Sequence, residues 1–311
     1  MQIKPLIMGN QSVENNVFLA PMAGYTDFAF RTVALKLGYG LTFTELVSAK
    51  GLVYKGQGSV DLLKSDNKNK TSVQLFGCEP EFIKAACESE ELKDFKFVDI
   101  NMGCPVPKVF KNGEGSALLT DIIKAEKVVK AAVSSGKTIS VKIRTGQKYG
   151  DDVATEFTKM AENSGASLVT IHARVREAYY SGEPDYNAVE KAKKAVKIPV
   201  IANGGIKSVK DANLMIDKTG ADGVMLARGA IENPLLVCEI LGKKSPLTLK
   251  EFIFSQLDLL STQEGEERSA VLFRKFISYY LKGLSGIKEF KLKLCTATNV
   301  QEIKDILSNI F

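Results

Sequence analysis

Short apolar, β-branched runs alternate with amphipathic stretches along most of the chain. Eight runs have the length and flanking turn residues of buried strands: Val17–Ala20, Leu41–Glu45, Ser72–Phe76, Phe97–Asn101, Ile139–Ile143, Leu168–His172, Pro199–Ala202 and Gly223–Ala227. Helical spacing of apolar residues marks Glu79–Glu88, Ile122–Ser134, Val153–Asn163, Ala188–Ala195 and Val209–Lys218 between them. This alternation implies a parallel sheet. Eight units in about 240 residues fit an α/β fold of the (β/α)8 TIM-barrel kind better than an open doubly wound sheet. Two segments echo one another, Gly165-Ala-Ser-Leu-Val-Thr-Ile-His172 and Gly220-Ala-Asp-Gly-Val-Met-Leu-Ala227. Gly-Ala at a helix end followed by a buried strand is what equivalent units of one barrel share. The alternation stops near Gly242-Lys-Lys-Ser-Pro-Leu-Thr248, a linker-like stretch. Helical patterns follow at Leu249–Leu260, Glu267–Leu281, Ile287–Thr296 and Val300–Asn309. The expected organisation is a barrel over 1–243 and a small helical domain over 244–311. A chain cut between them is expected to keep an intact barrel.

Composition narrows the class only slightly. The 311 residues are 45% hydrophobic and 25% charged, as in ordinary globular proteins. No stretch approaches the ~20 apolar residues of a membrane span. Met1-Gln-Ile-Lys4 begins no signal-peptide core, so a cytoplasmic protein is expected. Cys78, Cys87, Cys104, Cys238 and Cys295 contain no CxxC pair, and His172 is the single histidine. Neither a disulfide framework nor a bound metal is expected. The formal net charge is +6. Between Arg268 and Lys293, the cations Arg268, Arg274, Lys275, Lys282, Lys288, Lys291 and Lys293 stand against one acid, Glu289. That excess suits a polyanionic partner, while a solvated helix face accounts for it equally well.

Candidate chemistry lies at the carboxyl ends of the strands, where such barrels place it. Asp99-Ile-Asn-Met-Gly-Cys-Pro105 leaves its strand in a Gly- and Pro-constrained loop that presents the Cys104 thiol. Lys142 and Arg144 share a strand face, as do His172 and Arg174, with Val141, Ile143 and Ile171 on the other. Asn203-Gly-Gly205 and Ala227-Arg-Gly229 put small residues on the last two loops, the usual phosphate site of the fold. A phosphate there, with a lysine deeper in the barrel, suits flavin mononucleotide (FMN). A thiol beside a flavin can act as general acid for C=C reduction. Alternatively, Cys104 is a nucleophile with His172 as base. No phosphate-cradling GxxxxGK[ST] loop or dinucleotide fingerprint is present.

Taken in order, Pro21-Met-Ala-Gly-Tyr-Thr-Asp27, Val73-Gln-Leu-Phe-Gly77, Asp99–Pro105, Gly115-Ser-Ala-Leu-Leu119, Val141-Lys-Ile-Arg144, Ile171-His-Ala-Arg174, Ile198–Gly205, Gly220–Arg228 and Arg274-Lys-Phe-Ile-Ser-Tyr-Tyr-Leu281 resemble the tRNA-dihydrouridine synthases. The bacterial B-type branch is the most similar. The resemblance implies an FMN barrel that uses NADPH or NADH to reduce tRNA uridines, with a helical domain gripping the tRNA. It implies Pro21, Met22, Ala23, Gln74, Lys142 and His172 around the flavin, and Asn203, Gly204, Gly205, Ala227 and Arg228 at its phosphate end. It implies Cys104 as the acid at C5, and Asn101, Arg144 and Arg174 facing the substrate. A monomer is expected, with no membrane partner. The sequence departs from the family at Gly205, where an acid is usual, at Ala227 in place of glycine, and at Glu232-Asn-Pro-Leu-Leu236, where an aromatic usually follows the proline. A dihydroorotate dehydrogenase-like barrel acting on a free pyrimidine leaves the basic helices unexplained. A non-catalytic RNA-binding barrel leaves Cys104, Lys142 and His172 unexplained.

Overall fold

The computed structural model describes residues 1–311. A hairpin comes first, β1 (Leu6–Met8) antiparallel to β2 (Gln11–Val13). The barrel strands are β3 (Val17–Leu19), β4 (Thr42–Phe43), β5 (Val47–Ser48), β6 (Thr71–Phe76), β7 (Phe97–Met102), β8 (Thr138–Arg144), β9 (Leu168–His172), β10 (Val200–Asn203) and β11 (Gly223–Leu226). They pair in parallel in the order β3-β11-β10-β9-β8-β7-β6-β4, and a bridge between Phe18 and Leu41 joins the two ends. The sheet closes as the (β/α)8 pattern requires. β4 and β5 are two pieces of one barrel strand, both paired to β6. The sequence predicts an unbroken strand over Leu41–Glu45. Instead, the Thr44 hydroxyl donates to the Glu45 carbonyl at 2.8 Å and accepts from Gln74 N at 3.0 Å. Such local bonds compete with the ladder and interrupt it.

The outer helices are α1 (Phe28–Lys36), α2 (Ala49–Val53), α3 (Gln57–Asp61), α4 (Pro80–Cys87), α5 (Pro107–Lys111), α6 (Ile122–Val133), α7 (Ala154–Asn163), α8 (Tyr186–Lys194), α9 (Val209–Thr219), α10 (Arg228–Glu232) and α11 (Leu236–Ile240). Asp27, Asp121, Asp185 and Ser208 start α1, α6, α8 and α9 by accepting from the backbone N–H three residues on. Gly165 and Gly220, the paired glycines of the sequence echo, take φ of +92° and +64° after α7 and α9. Strand alternation then sorts the side chains. Val141, Ile143 and Ile171 point outward into the core shared with the helices. Phe18, Leu41, Phe43, Phe97, Leu168, Ile201 and Met225 fill the barrel floor, covered by Leu6, Met8 and Val13 of the hairpin. Toward the carboxyl ends the buried inward residues turn polar.

Residues 244–247 carry no helix or strand, and Thr248 opens α12 (Leu249–Glu264) with a capping box to Glu251. α13 (Glu266–Tyr280), α14 (Lys288–Thr296) and α15 (Val300–Ser308) complete the chain. These helices and the barrel share one apolar core. Phe30 of α1 stacks on Phe276 with centroids 6.0 Å apart and meets Phe252 edge-on at 5.4 Å. Cutting the chain at residue 243 strips that face of Phe30 bare. The truncated protein is therefore expected to aggregate or to melt well below the full chain, unlike the intact barrel expected from sequence. A thermal melt with a light-scattering trace checks this, and an unchanged melt would contradict the shared core. No helix is long and apolar enough to cross a membrane.

Candidate active site at the barrel mouth

The strand ends open into a cleft of about 520 Å³, a size that accommodates a cofactor. Every residue singled out from sequence lines it: Cys104, Pro21, Met22, Ala23, Gln74, Lys142, His172, Asn203, Gly204, Gly205, Ala227, Arg228, Asn101, Arg144 and Arg174. Register explains the convergence. Asn101 pairs with Lys142, and Arg144, His172 and Asn203 form one row across β8, β9 and β10.

One wall is built around the thiol. Asn101 Oδ1 accepts from Gly103 N at 3.2 Å and from Cys104 N at 2.9 Å. Its Nδ2 donates to Gln74 Oε1 at 2.9 Å, and Gln74 Nε2 donates to Asp99 Oδ2 at 2.6 Å. Ser140 Oγ donates to the other Asp99 oxygen at 2.6 Å. Burial raises the Asp99 carboxyl to about 6 against these two stabilising bonds. Asn101 is thus committed at both ends of its amide to shaping the Cys104 loop. Ser116 fixes the loop further, with N and Oγ donating to the Cys104 carbonyl at 3.1 and 2.7 Å. Burial pushes the Cys104 thiol up, beyond what the Val106 backbone, Arg144 and Lys142 offset. It is therefore a protonated thiol at neutral pH.

The adjoining wall is cationic. Lys142, Arg144, Arg174 and Arg228 line the cleft, and none has a carboxylate within 4.0 Å. Burial and the neighbouring Arg144 lower Lys142 to about 8. Lys142 Nζ donates to Asn203 Oδ1 at 3.4 Å, and Asn203 Nδ2 donates to the Met225 carbonyl at 2.8 Å. Burial, then Arg144, Lys142 and Arg174, hold His172 well below the usual histidine range. It is a neutral imidazole at physiological pH.

The cleft arginines also brace neighbouring backbone. Arg144 Nε donates to the Gly103 carbonyl at 2.8 Å, and its Nη1 to Val175 and Tyr179 carbonyls at 3.0 and 2.8 Å. Arg174 Nε donates to Ser181 and Gly182 carbonyls at 2.9 and 3.1 Å, and its Nη2 to Gly182 at 2.6 Å. Arg228 Nη2 donates to the Tyr180 carbonyl at 2.7 Å. Most of these donors clamp the loop over 175–182, in which Tyr179 takes a φ of +49°. Arg174 Nη1 is buried and without a partner. It lies beside Gly204 and Gly205, whose φ values are +126° and +72°, and a Cβ on Gly204 would sit 3.0 Å from it. A buried cationic N–H in a glycine cradle fits a phosphate group.

Gly205 departs from the family pattern for a local reason. Its φ is left-handed, and a Cβ there would meet Pro184 Cγ at 2.9 Å. Gly205→Asp, which restores the usual acid, is expected to cost roughly 1–3 kcal/mol in stability and to weaken flavin binding. Thermal melts and flavin titration check both, and an unchanged melt would contradict the crowding.

Sequence reasoning missed Tyr25, Tyr180 and Tyr279, which also line the cleft. The Tyr180 ring lies 5.6 Å from the Arg144 guanidinium and 5.4 Å from that of Arg228, and stacks on His172 at 6.3 Å. Tyr180 could have been suspected only from its place after the strand that ends in His172. The basic helical run is also less free than its sequence suggests. Arg268 pairs with Glu264 at 2.9 Å, Lys282 with Glu232 at 2.7 Å and Lys293 with Glu289 at 2.7 Å. Arg274 donates to the Ala297 carbonyl at 3.1 Å.

The dihydrouridine synthase (Dus) family model matches residues 18–311. A probable tRNA-dihydrouridine synthase of Rickettsia bellii is 36% identical over 299 residues, which cover 91% of each chain. A tRNA-dihydrouridine synthase B of Pasteurella multocida is 33% identical over 318 residues, covering 98% of this chain and 95% of the relative. Among solved structures, TcOYE with pHBA superposes with a TM-score of 0.57 at 12% identity, covering 77% of this chain and 92% of that one. Morphinone reductase gives a TM-score of 0.53 at 14% identity, over 78% and 89%. These two likenesses are of fold, and agree with the closed barrel. The family match runs through barrel and helices alike, and takes in every strand end that lines the cleft. The chain belongs to the dihydrouridine synthase family, in its B-type branch.

Proposed function

We propose that this protein reduces the C5–C6 double bond of particular tRNA uridines to 5,6-dihydrouridine, with FMN at the barrel mouth and NADPH or NADH as the reductant. One observation carries the reading. A protonated thiol adjoins an unneutralised cationic wall that ends in a buried, unpaired arginine N–H beside two glycines. Arg174, Gly204, Gly205, Ala227 and Arg228 would hold the flavin phosphate. Pro21, Met22, Ala23, Gln74, Lys142 and His172 would border the ring, with Asn203 holding Lys142. A bound flavin supplies the hydride that reaches C6 of the uracil.

The chain's own residues do the rest. Cys104 gives its Sγ proton to C5, so the uracil gains one hydride and one proton. The thiolate left behind feels the positive charges of Arg144 and Lys142 and regains a proton from water. Asn101 and Ser116 keep the thiol in place through its backbone. Neutral His172 fills the cationic wall without adding to its repulsion. A uridine in folded tRNA must leave its stack to reach this cleft. Lys275, Lys288 and Lys291, the lysines of the run without an acidic partner, would contact phosphates and make binding salt-dependent. We place the enzyme in the cytoplasm, acting as a monomer. Purified protein should be yellow, or become so with FMN, and should then oxidise NADPH faster when unmodified tRNA is added. A preparation that stays colourless with excess FMN contradicts the reading.

A further inference from the structure

We propose that Tyr279, braced by Tyr25 and with Lys275 one turn away, forms a stacking subsite for the nucleotide next to the reacting uridine. The proposal rests on the tRNA reading above. Tyr279 is the residue of the helical region that lines the cleft. Its neighbours Phe273, Phe276, Ile277 and Tyr280 on α13 are buried in the core, whereas Tyr279 is half-buried. Its ring meets Tyr25 at 5.7 Å and 88°, and Tyr25 in turn meets Phe276 at 5.6 Å and 86°. Edge-on contact props the Tyr279 ring without covering both its faces.

Position excludes the reacting base itself. In the closed ring of strands, β3, which leads to Tyr25, lies diametrically across from β8, which carries Lys142 and Arg144. The Cys104 loop follows β7, next to β8. A base stacked on Tyr279 is thus across the mouth from the thiol, while the strand it belongs to must cross the rim to deliver its neighbour. Lys275 precedes Tyr279 by four residues, so the two share a helix face. Its ammonium lies 5.8 Å from the centre of the Tyr25 ring. Asp27, the acid that feels its charge, is occupied in capping α1. An aromatic face with a free lysine beside it matches one nucleotide, base on the ring and phosphate on the ammonium.

The test uses full-length, flavin-loaded protein and a tRNA transcript carrying 2-aminopurine on one side or the other of the reduced uridine. On one side the wild-type complex should quench the probe. Tyr279→Leu keeps apolar bulk without a stacking face. It should abolish quenching and raise KM for tRNA roughly tenfold, with kcat little changed. Tyr279→Phe should retain both properties, and Lys275→Gln should reduce the salt slope of binding by about one. Flavin binding by each variant checks its fold. Quenching that persists in Tyr279→Leu, that is lost equally in Tyr279→Phe, or that is absent from wild type on both sides overturns the subsite. A wild-type protein that neither binds nor reduces tRNA overturns the parent function instead.

Discussion

Cys104→Ala should bind flavin and accept electrons from NADPH as the wild type does, yet reduce tRNA uridines roughly 10²- to 10⁴-fold more slowly, the usual contribution of a positioned general acid. The proposed roles separate the two half-reactions. The Cys104 loop is held through Asn101 Oδ1 and the Cys104 carbonyl, which an alanine keeps. Loss of the sulfur therefore removes a proton donor and little else. Anaerobic reduction of the flavin, followed separately from its reoxidation by tRNA, checks the split. Reoxidation at the wild-type rate would remove Cys104 from the chemistry. Slow flavin reduction would mean that the loop supports the cofactor as well.

Lys142→Met should act in opposite directions on stability and on function. Burial and Arg144 lower the lysine to about 8 in the folded protein, against about 10.4 in an unfolded chain. Between those values the unfolded chain binds more protons, so stability rises with pH across about 8 to 10. Below about 8 the buried charge costs stability. Methionine removes that cost. The flavin-free variant should melt higher than wild type at neutral pH, and the gain should shrink as pH rises through 8 to 10. On the proposed reading the same substitution removes the cation that would meet the flavin ring, so flavin reduction should be slowed. Melts of flavin-free protein from pH 6 to pH 10 check the first half. A variant less stable than wild type at pH 7 would show that Lys142 serves the fold.

Much of this site was legible in the sequence because barrel strands announce themselves twice. Apolar β-branched runs mark their buried bodies, and abrupt polar or Gly-Pro ends mark the mouth. Leu168–His172 and the Asn203-Gly-Gly205 turn were readable for that reason, and register then brought their ends together. What escaped depends on contacts distant in sequence. Nothing near Thr44 shows that Gln74, thirty residues on, will use its hydroxyl and split the strand. Arg144 and Arg174 carry the right charge for a substrate. Only the folded loop over 175–182 reveals that its carbonyls also accept from Arg144 Nη1 and from Arg174 Nε and Nη2. Tyr279 looks like one more core aromatic of an amphipathic helix until α13 is packed on α1 and its ring reaches the cleft. Glu232 is similar. It bridges Lys207 at 3.1 Å and Lys282 at 2.7 Å, tying the last barrel loops to the end of α13. A pairing between such distant positions has no local signature.

The most direct test of the central claim is mass spectrometry of an unmodified tRNA transcript after incubation with the purified protein, FMN and NADPH. The account predicts a mass gain of two hydrogens confined to particular uridines, dependent on NADPH and absent with Cys104→Ala. A transcript whose uridines all keep their mass, under conditions where the flavin is bound and reduced, would contradict it.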